Sequence, residues 1–216
     1  PIQFFVDDRK TKEGITITDN LLKLKELFQY QNLPKETEAR WRPVETAWSL
    51  NMNPSLSEVK QDNNTNVLFI SPRPNKRINI TSSRDALNGY QEGKCFYTSV
   101  DISIANGASN LADVDHFSPH KLEPYLPGIN LDGVWNLVLA AKESNRSNGG
   151  KFARVPSRQD LMRLNARNNY LIDSHHPLKD TIIKQTGNTE RERIRFLERV
   201  FDDARKYLNV EATFRI

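Results

Sequence analysis

The sequence predicts an α+β fold: a mostly helical chain with a short β-hairpin ahead of a central strand, loop, strand and helix segment. Three observations predict it. Apolar residues recur at three- and four-residue spacing in stretches such as SRQDLMRLNARNNYLID and NTERERIRFLERVFDDARKYL, the period of helices that bury one face. Runs of β-branched and other apolar residues bounded by turn formers interrupt that pattern at 66–70, at 77–80 across SPRPN, and again in DVDHF and WNLVLA. A chain of 216 residues, 37% of them hydrophobic, can bury one core with a helical extension packed on it.

In chain order, Thr18 or Asp19 is expected to cap a helix carrying Leu21, Leu22, Leu24, Leu27 and Phe28. A second amphipathic helix is expected from Pro34, with Trp41, Val44 and Trp48 on its buried stripe. Pro43 should kink or restart it, because an interior proline costs ~3 kcal/mol. The aromatic and basic mixture in ARWRPVETAW reads as core packing ahead of a base-stacking platform. Ser83 is expected to cap a helix that runs to Gln91 and ends at Gly93. HKLEPYLPGINLDG, with two prolines and two glycines, is the long loop between the central strands, and His120 in it reads as a surface histidine. Beyond Gly149 and Gly150, whose freedom lets backbone approach a phosphate, three helices are expected in SRQDLMRLNARNNYLID, HHPLKDTIIKQTG and NTERERIRFLERVFDDARKYL. His175 and His176 before Pro177 read as helix-start residues rather than a second metal site. The expected division is 1–80, an N-terminal helical region with a hairpin; 81–156, the functional core; and 157–216, the C-terminal helical extension.

No apolar run approaches the ~18 residues needed to span a bilayer, and the N-terminus lacks the charged-then-apolar order of a signal peptide. A cytoplasmic location is therefore expected, with no membrane partner. One cysteine excludes a disulfide framework within the chain. The net charge of +4 says little, but its distribution says more. Between Lys142 and Arg167 stand seven basic residues (Lys142, Arg146, Lys151, Arg154, Arg158, Arg163, Arg167) against Glu143 and Asp160. Such clustering suits contacts to a nucleic-acid backbone, with Arg146, Lys151, Arg154 and Lys142 the expected phosphate partners. For Arg158, Arg163 and Arg167 a solvated helix face is an equal reading.

The cluster begins beside the most informative residues of the chain. Asp115 and Asn145 each offer a hard oxygen ligand, His116 offers an imidazole that takes a proton near neutral pH, and Asn136 can hold that ring in place. Taken singly each residue has an ordinary explanation: a strand end or turn for Asp-His, a loop-bracing amide for Asn136, a helix cap for Asn145. Together they close one apolar run, open the next and begin a helix. Hydrolysis of a phosphodiester needs a deprotonated water, which a neutral His beside a divalent ion can generate at pH 7. One carboxylate and one amide suit Mg²⁺, with Mn²⁺ able to substitute, whereas Zn²⁺ prefers more nitrogen or sulfur ligands.

This pattern, DVDHF followed by WNLVLA, NR and GK, resembles the HNH endonucleases, over roughly residues 86–156. The resemblance implies a central ββα-metal finger, two antiparallel strands and a helix around one divalent ion. It also implies Asp115 and Asn145 as metal ligands, His116 as general base, Asn136 as the residue that orients it, and Arg146 near a phosphate. Many members hold a structural zinc with two Cys-x-x-Cys pairs. Here Cys95 keeps the first position, while Thr98, Ala141 and Ser144 fill the other three, so no structural zinc is expected. The function implied is hydrolysis of DNA, with RNA as a second candidate, in restriction or phage defence. The chain would act as a homodimer or as a subunit or domain of a larger nucleoprotein complex. A non-cleaving nucleic-acid-binding or assembly module that retains the finger is the alternative.

Overall fold

Small antiparallel hairpins and amphipathic helices alternate along the chain, and the fold is α+β as the sequence predicts. The structure, a computed structural model, describes residues 2–27, 30–49, 59–73, 76–146, 151, 154–174 and 176–208. Two compact units are present, Pro1–Lys35 and Glu36–Ile216. The first contains a hairpin not anticipated from sequence, β1 (Phe5–Asp7) paired with β2 (Ile15–Ile17), then α1 (Asp19–Leu22) and a 3-10 turn over Lys23–Glu26. Thr18 stands at the N-cap, but its hydroxyl donates to the carbonyls of Gln3 and Phe4 and makes no cap bond. The helix is correspondingly short, and Leu22 and Leu27 are more than half exposed. Phe28 lies outside the described residues.

Helix α2 (Leu33–Ser49) is one element with Pro43 inside it rather than at a restart. Among its described side chains the buried one is Ala39, and Trp41 is 49% exposed, against the expectation of a buried stripe through Trp41. Residues two positions apart on an α-helix point ~200° apart, so a face that buries position 39 turns position 41 away. The side chain of Trp48 lies outside those described.

A three-stranded sheet follows, β3 (Val59–Asp62), β4 (Val67–Arg73) and β5 (Lys76–Ser82), all antiparallel. The β4–β5 hairpin is the one expected around SPRPN. Strand β3 carries only one strongly apolar residue, so the sequence gives it little signal. Ser82 caps α3 (Ser83–Gln91) by accepting from Arg84 N, and the helix ends on Glu92 in the left-handed region with Gly93 behind it.

Strands β6 (Asp113–His116) and β7 (Leu137–Ala140) pair antiparallel, with Asp115 opposite Val138 and His116 opposite Leu137. Every residue of β7 is buried. The carboxamide of Gln91 on α3 accepts from Leu139 N (2.8 Å) and donates to Leu139 O (2.7 Å), so a helix side chain completes the free edge of β7. Helix α4 (Lys142–Arg146) comes directly after β7. The three expected C-terminal helices are α5 (Arg158–Asp173), α6 (Lys179–Thr186) and α7 (Glu190–Tyr207), the first and last begun by capping boxes, Ser157 with Asp160 and Thr189 with Glu192. Leu161, Leu164 and Leu171 of α5 and Leu197, Val200 and Phe201 of α7 join β7 in the core, where Trp135 meets Phe196 edge-on at 5.0 Å. Among the described residues no helix is long and apolar enough to cross a membrane.

Candidate active site

Pairing of β6 with β7 fixes where the Asp-His dipeptide points. Successive strand residues face opposite sides, so Asp115 and His116 diverge as side chains, yet both line one cavity of about 250 Å³ with Pro119, His120, Lys121, Asn145 and Lys151. Residues 30 positions apart in sequence therefore share a wall. Of the residues expected at the site, Asp115, His116, Asn145 and Lys151 lie on the cavity, whereas Asn136, Lys142, Arg146 and Arg154 do not line it.

Asp115 is buried, and its carboxylate is held by two groups. The Tyr97 hydroxyl donates to Oδ2 at 2.6 Å, and the Lys151 ammonium stands 3.2 Å from Oδ1 and Oδ2. Burial pushes the Tyr97 hydroxyl well above the usual phenol range, and the Asp115 charge adds to the shift, so Tyr97 remains a donor. Lys151 has 0% of its surface exposed, and its Nζ also donates to the His116 carbonyl. Lys151, expected to contact a phosphate, has its charge facing inward, onto Asp115. Burial lowers the Lys151 pKa while Asp115 opposes the shift.

His116 is partly buried behind this carboxylate. Its Nε2 lies 3.3 Å from Asp132 Oδ1 without hydrogen-bond alignment, and this buried nitrogen has no hydrogen-bond partner among the described residues. Burial pulls the imidazole pKa down, the Asp132 carboxylate opposes this, and neighbouring His120 lowers it further. That direction favours the neutral ring, the form that can accept a proton. His120 Nε2 lies 2.9 Å from the same Asp132 oxygen, and the two rings are 4.2 Å apart between centroids. His116 and His120 together hold the Asp132 carboxyl far below the usual carboxylate range. His120 is thus no isolated surface histidine; the 3-10 helix His120–Tyr125 carries it back over β6.

Asn136, the last residue of the 3-10 turn Val134–Asn136, acts through its backbone and on the loop. Its carbonyl accepts from Phe117 N (2.7 Å). Its side chain accepts from Ser118 N (2.7 Å) and donates to the carbonyls of Ser118 and Leu131 at 2.9 and 2.8 Å. These bonds lock the segment that follows His116. Asn145 lies inside α4 rather than at its cap. Its Nδ2 donates to Asp113 Oδ2 at 3.3 Å, which leaves its Oδ1 as the atom able to face a cation. Arg146 grips Asp113 through Nε and Nη2 at 2.6 and 2.7 Å. Its side chain is 67% exposed, but its fork is spent on tying α4 to β6. Lys142 is exposed and Arg154 half-buried. Arg158 pairs with Glu198 (3.0 Å), Arg163 lies over the Phe96 ring (5.0 Å), and buried Arg167 donates to the carbonyls of Val134, Trp135 and Leu137. None of the last three is an unengaged charge. Gly149, Gly150 and His175 lie outside the described residues.

Sequence reasoning missed Tyr97, Asp113, His120, Lys121 and Asp132 as parts of this site. The spacing of His116 and His120, four positions apart, was the available signal, since paired histidines at such spacing are a familiar ligand pattern. Asp132 carried none, because only the folding of the long loop brings it to the rings. Comparison with protein-family models, with curated proteins and with solved structures gave no match to this chain.

Proposed function

We propose that the chain is a divalent-metal-dependent endonuclease of the HNH type that hydrolyses DNA phosphodiester bonds. The observation that carries the reading is the convergence of Asp115, His116 and Asn145 on one cavity. A second observation supports it. Thr98 and Ser144 stand where the family's zinc cysteines would, one from each pair, and their hydroxyls lie 3.3 Å apart. The family pattern requires those distant positions to meet.

The donor set fits a hard cation: a carboxylate and an amide oxygen on one wall, with no thiolate beside them. Asp115 and Asn145 would hold Mg²⁺ or Mn²⁺, which when bound supplies positive charge for phosphate oxygens. His116 supplies the base. The Asp132 carboxylate beside Nε2 favours the tautomer with its proton there, leaving Nδ1 to take a proton from the attacking water. The resulting hydroxide adds to phosphorus, the P–O3′ bond breaks, and the 3′ oxygen takes a proton from solvent, so the products carry 5′-phosphate and 3′-hydroxyl ends. Asn136 and Tyr97 are positioning residues, the first for the backbone after His116, the second for the Asp115 carboxylate. Lys142, Lys121 and Arg154 supply charge for the DNA backbone. The reading carries with it a cytoplasmic setting and, for double-strand cuts, a second copy or a second nuclease.

One observation favours the rival, a binding module that cuts nothing: the Lys151 ammonium already neutralises Asp115. Plasmid nicking with Mg²⁺ or Mn²⁺ decides between them. The wild-type chain should nick, with H116A and N145A slowed at least about a hundredfold, as loss of a general base or metal ligand predicts. DNA binding without nicking in either metal would replace the nuclease by the module.

A further inference from the structure

We propose that His116, His120 and Asp132, with Asn63 as a fourth donor, form an inhibitory site for Zn²⁺ or a similar borderline transition cation. The three side chains offer one ligand atom each within 4.8 Å of one another, and their donors are two imidazole nitrogens and a carboxylate oxygen. That set differs from the two-oxygen pair at Asp115 and Asn145. It is the chemistry that favours Zn²⁺, Co²⁺ or Ni²⁺ over Mg²⁺.

Spacing agrees with the chemistry. Ligands about 2.0–2.1 Å from a tetrahedral ion are about 3.3 Å from one another. His116 Nε2 and Asp132 Oδ1 are 3.3 Å apart, and His120 Nε2 is 2.9 Å from that oxygen. The Asn63 amide, in the turn between β3 and β4, closes the set: its Nδ2 lies 3.0 Å from His120 Nε2 and 3.1 Å from Asp132 Oδ1. Without a cation, Asp132 Oδ1 can accept from both His120 Nε2 and Asn63 Nδ2. The buried His116 Nε2, by contrast, makes no hydrogen bond among the described residues. A cation at the centre supplies its missing partner, and half a turn of the Asn63 carboxamide puts its oxygen where the nitrogen stands, so that every facing atom becomes a lone-pair donor.

Occupancy would reverse the tautomer on which hydrolysis depends. A neutral imidazole carries one N–H. With Nε2 on a cation that proton resides on Nδ1, and His116 has no lone pair left for water. The inhibition rests on the nuclease reading; the binding does not.

The test is titration of the full, metal-free chain with Co²⁺, read by visible absorption, followed by displacement with Zn²⁺. The expected result is one equivalent of four-coordinate Co²⁺ with intense visible bands that Zn²⁺ abolishes. H120A and D132A should bind at least about a hundredfold more weakly, at or beyond the upper end of losses seen for outer-sphere partners. A pale six-coordinate spectrum in the wild-type chain, or variants that bind as tightly as it does, overturns the site without reference to any activity. Nicking in Mg²⁺ tests the inhibition, each protein's rate being compared with and without Zn²⁺. Wild type should slow at least about tenfold and H120A far less relative to its own rate; equal slowing overturns the inhibitory role. A chain that never nicks removes the nuclease reading, and the Co²⁺ spectrum still decides the metal site.

Discussion

Asp115 shows how one side chain ties stability to function. Its buried carboxylate is tolerable because Lys151 and Tyr97 both reach it. Breaking a buried pair from one side leaves a charge without compensation and costs about 3–5 kcal/mol. K151M should therefore lower stability by that order in urea melts, with circular dichroism as readout. The same variant makes a further outcome testable. Without the ammonium, millimolar Mg²⁺ or Mn²⁺ should raise its melting temperature more than it raises that of the wild type, because the ion then supplies the missing charge. Equal shifts in the two proteins would show that the ion does not bind at Asp115. Y97F removes one hydrogen bond to a charged acceptor and should cost about 1.5–3 kcal/mol.

At the scale of elements, the hairpin β6–β7 is held by groups that the strands do not themselves contain. Gln91 finishes the edge of β7, Asn136 ties the turn to the segment after β6, and Arg167 caps three carbonyls around Val134–Leu137. Each is a buried polar group whose partners would be orphaned by its removal. N136D is the informative change at Asn136. A carboxylate keeps the volume but cannot donate to the carbonyls of Ser118 and Leu131, so it should destabilise by at least about 3 kcal/mol in denaturant melts. R167K keeps the charge but loses the planar fork that reaches Val134, Trp135 and Leu137 together, and should also destabilise measurably. If R167K melts like wild type, the fork is not what secures the turn. Strands β6 and β7 and the capped C-terminal helices were legible from residue pattern and cap chemistry. The polar braces were not, because an amide or guanidinium in a helical pattern looks the same in sequence whether it meets water or a carbonyl thirty residues away.

For the molecule as a whole, acid should loosen the fold through His176. This buried ring accepts from Leu178 N at 3.1 Å, and burial pushes its pKa down to about 3, with Arg40 and Arg167 adding to the shift. In the unfolded chain it titrates near 6.5. The unfolded state therefore binds a proton that the folded state refuses between those two values. Stability from this residue is full above about pH 6.5 and falls as pH drops toward 3, by about 2 kcal/mol between pH 7 and pH 5. H176Q should flatten that part of the profile of urea-melt stability against pH. An unchanged slope would assign the acid sensitivity elsewhere.

By itself the sequence determined the α+β class, the hairpin around SPRPN, the C-terminal helices and the conjunction of Asp115, His116 and Asn145, because period, caps and residue chemistry are local properties. Tertiary structure alone decided the rest. Lys151 turned inward, where its ammonium meets the Asp115 carboxylate and the His116 carbonyl. Asp132, His120 and Asn63 came together because the long loop folds back over β6 and meets the β3–β4 turn. Burial and charge pairing are properties of a place in the fold, and no residue carries them along the chain.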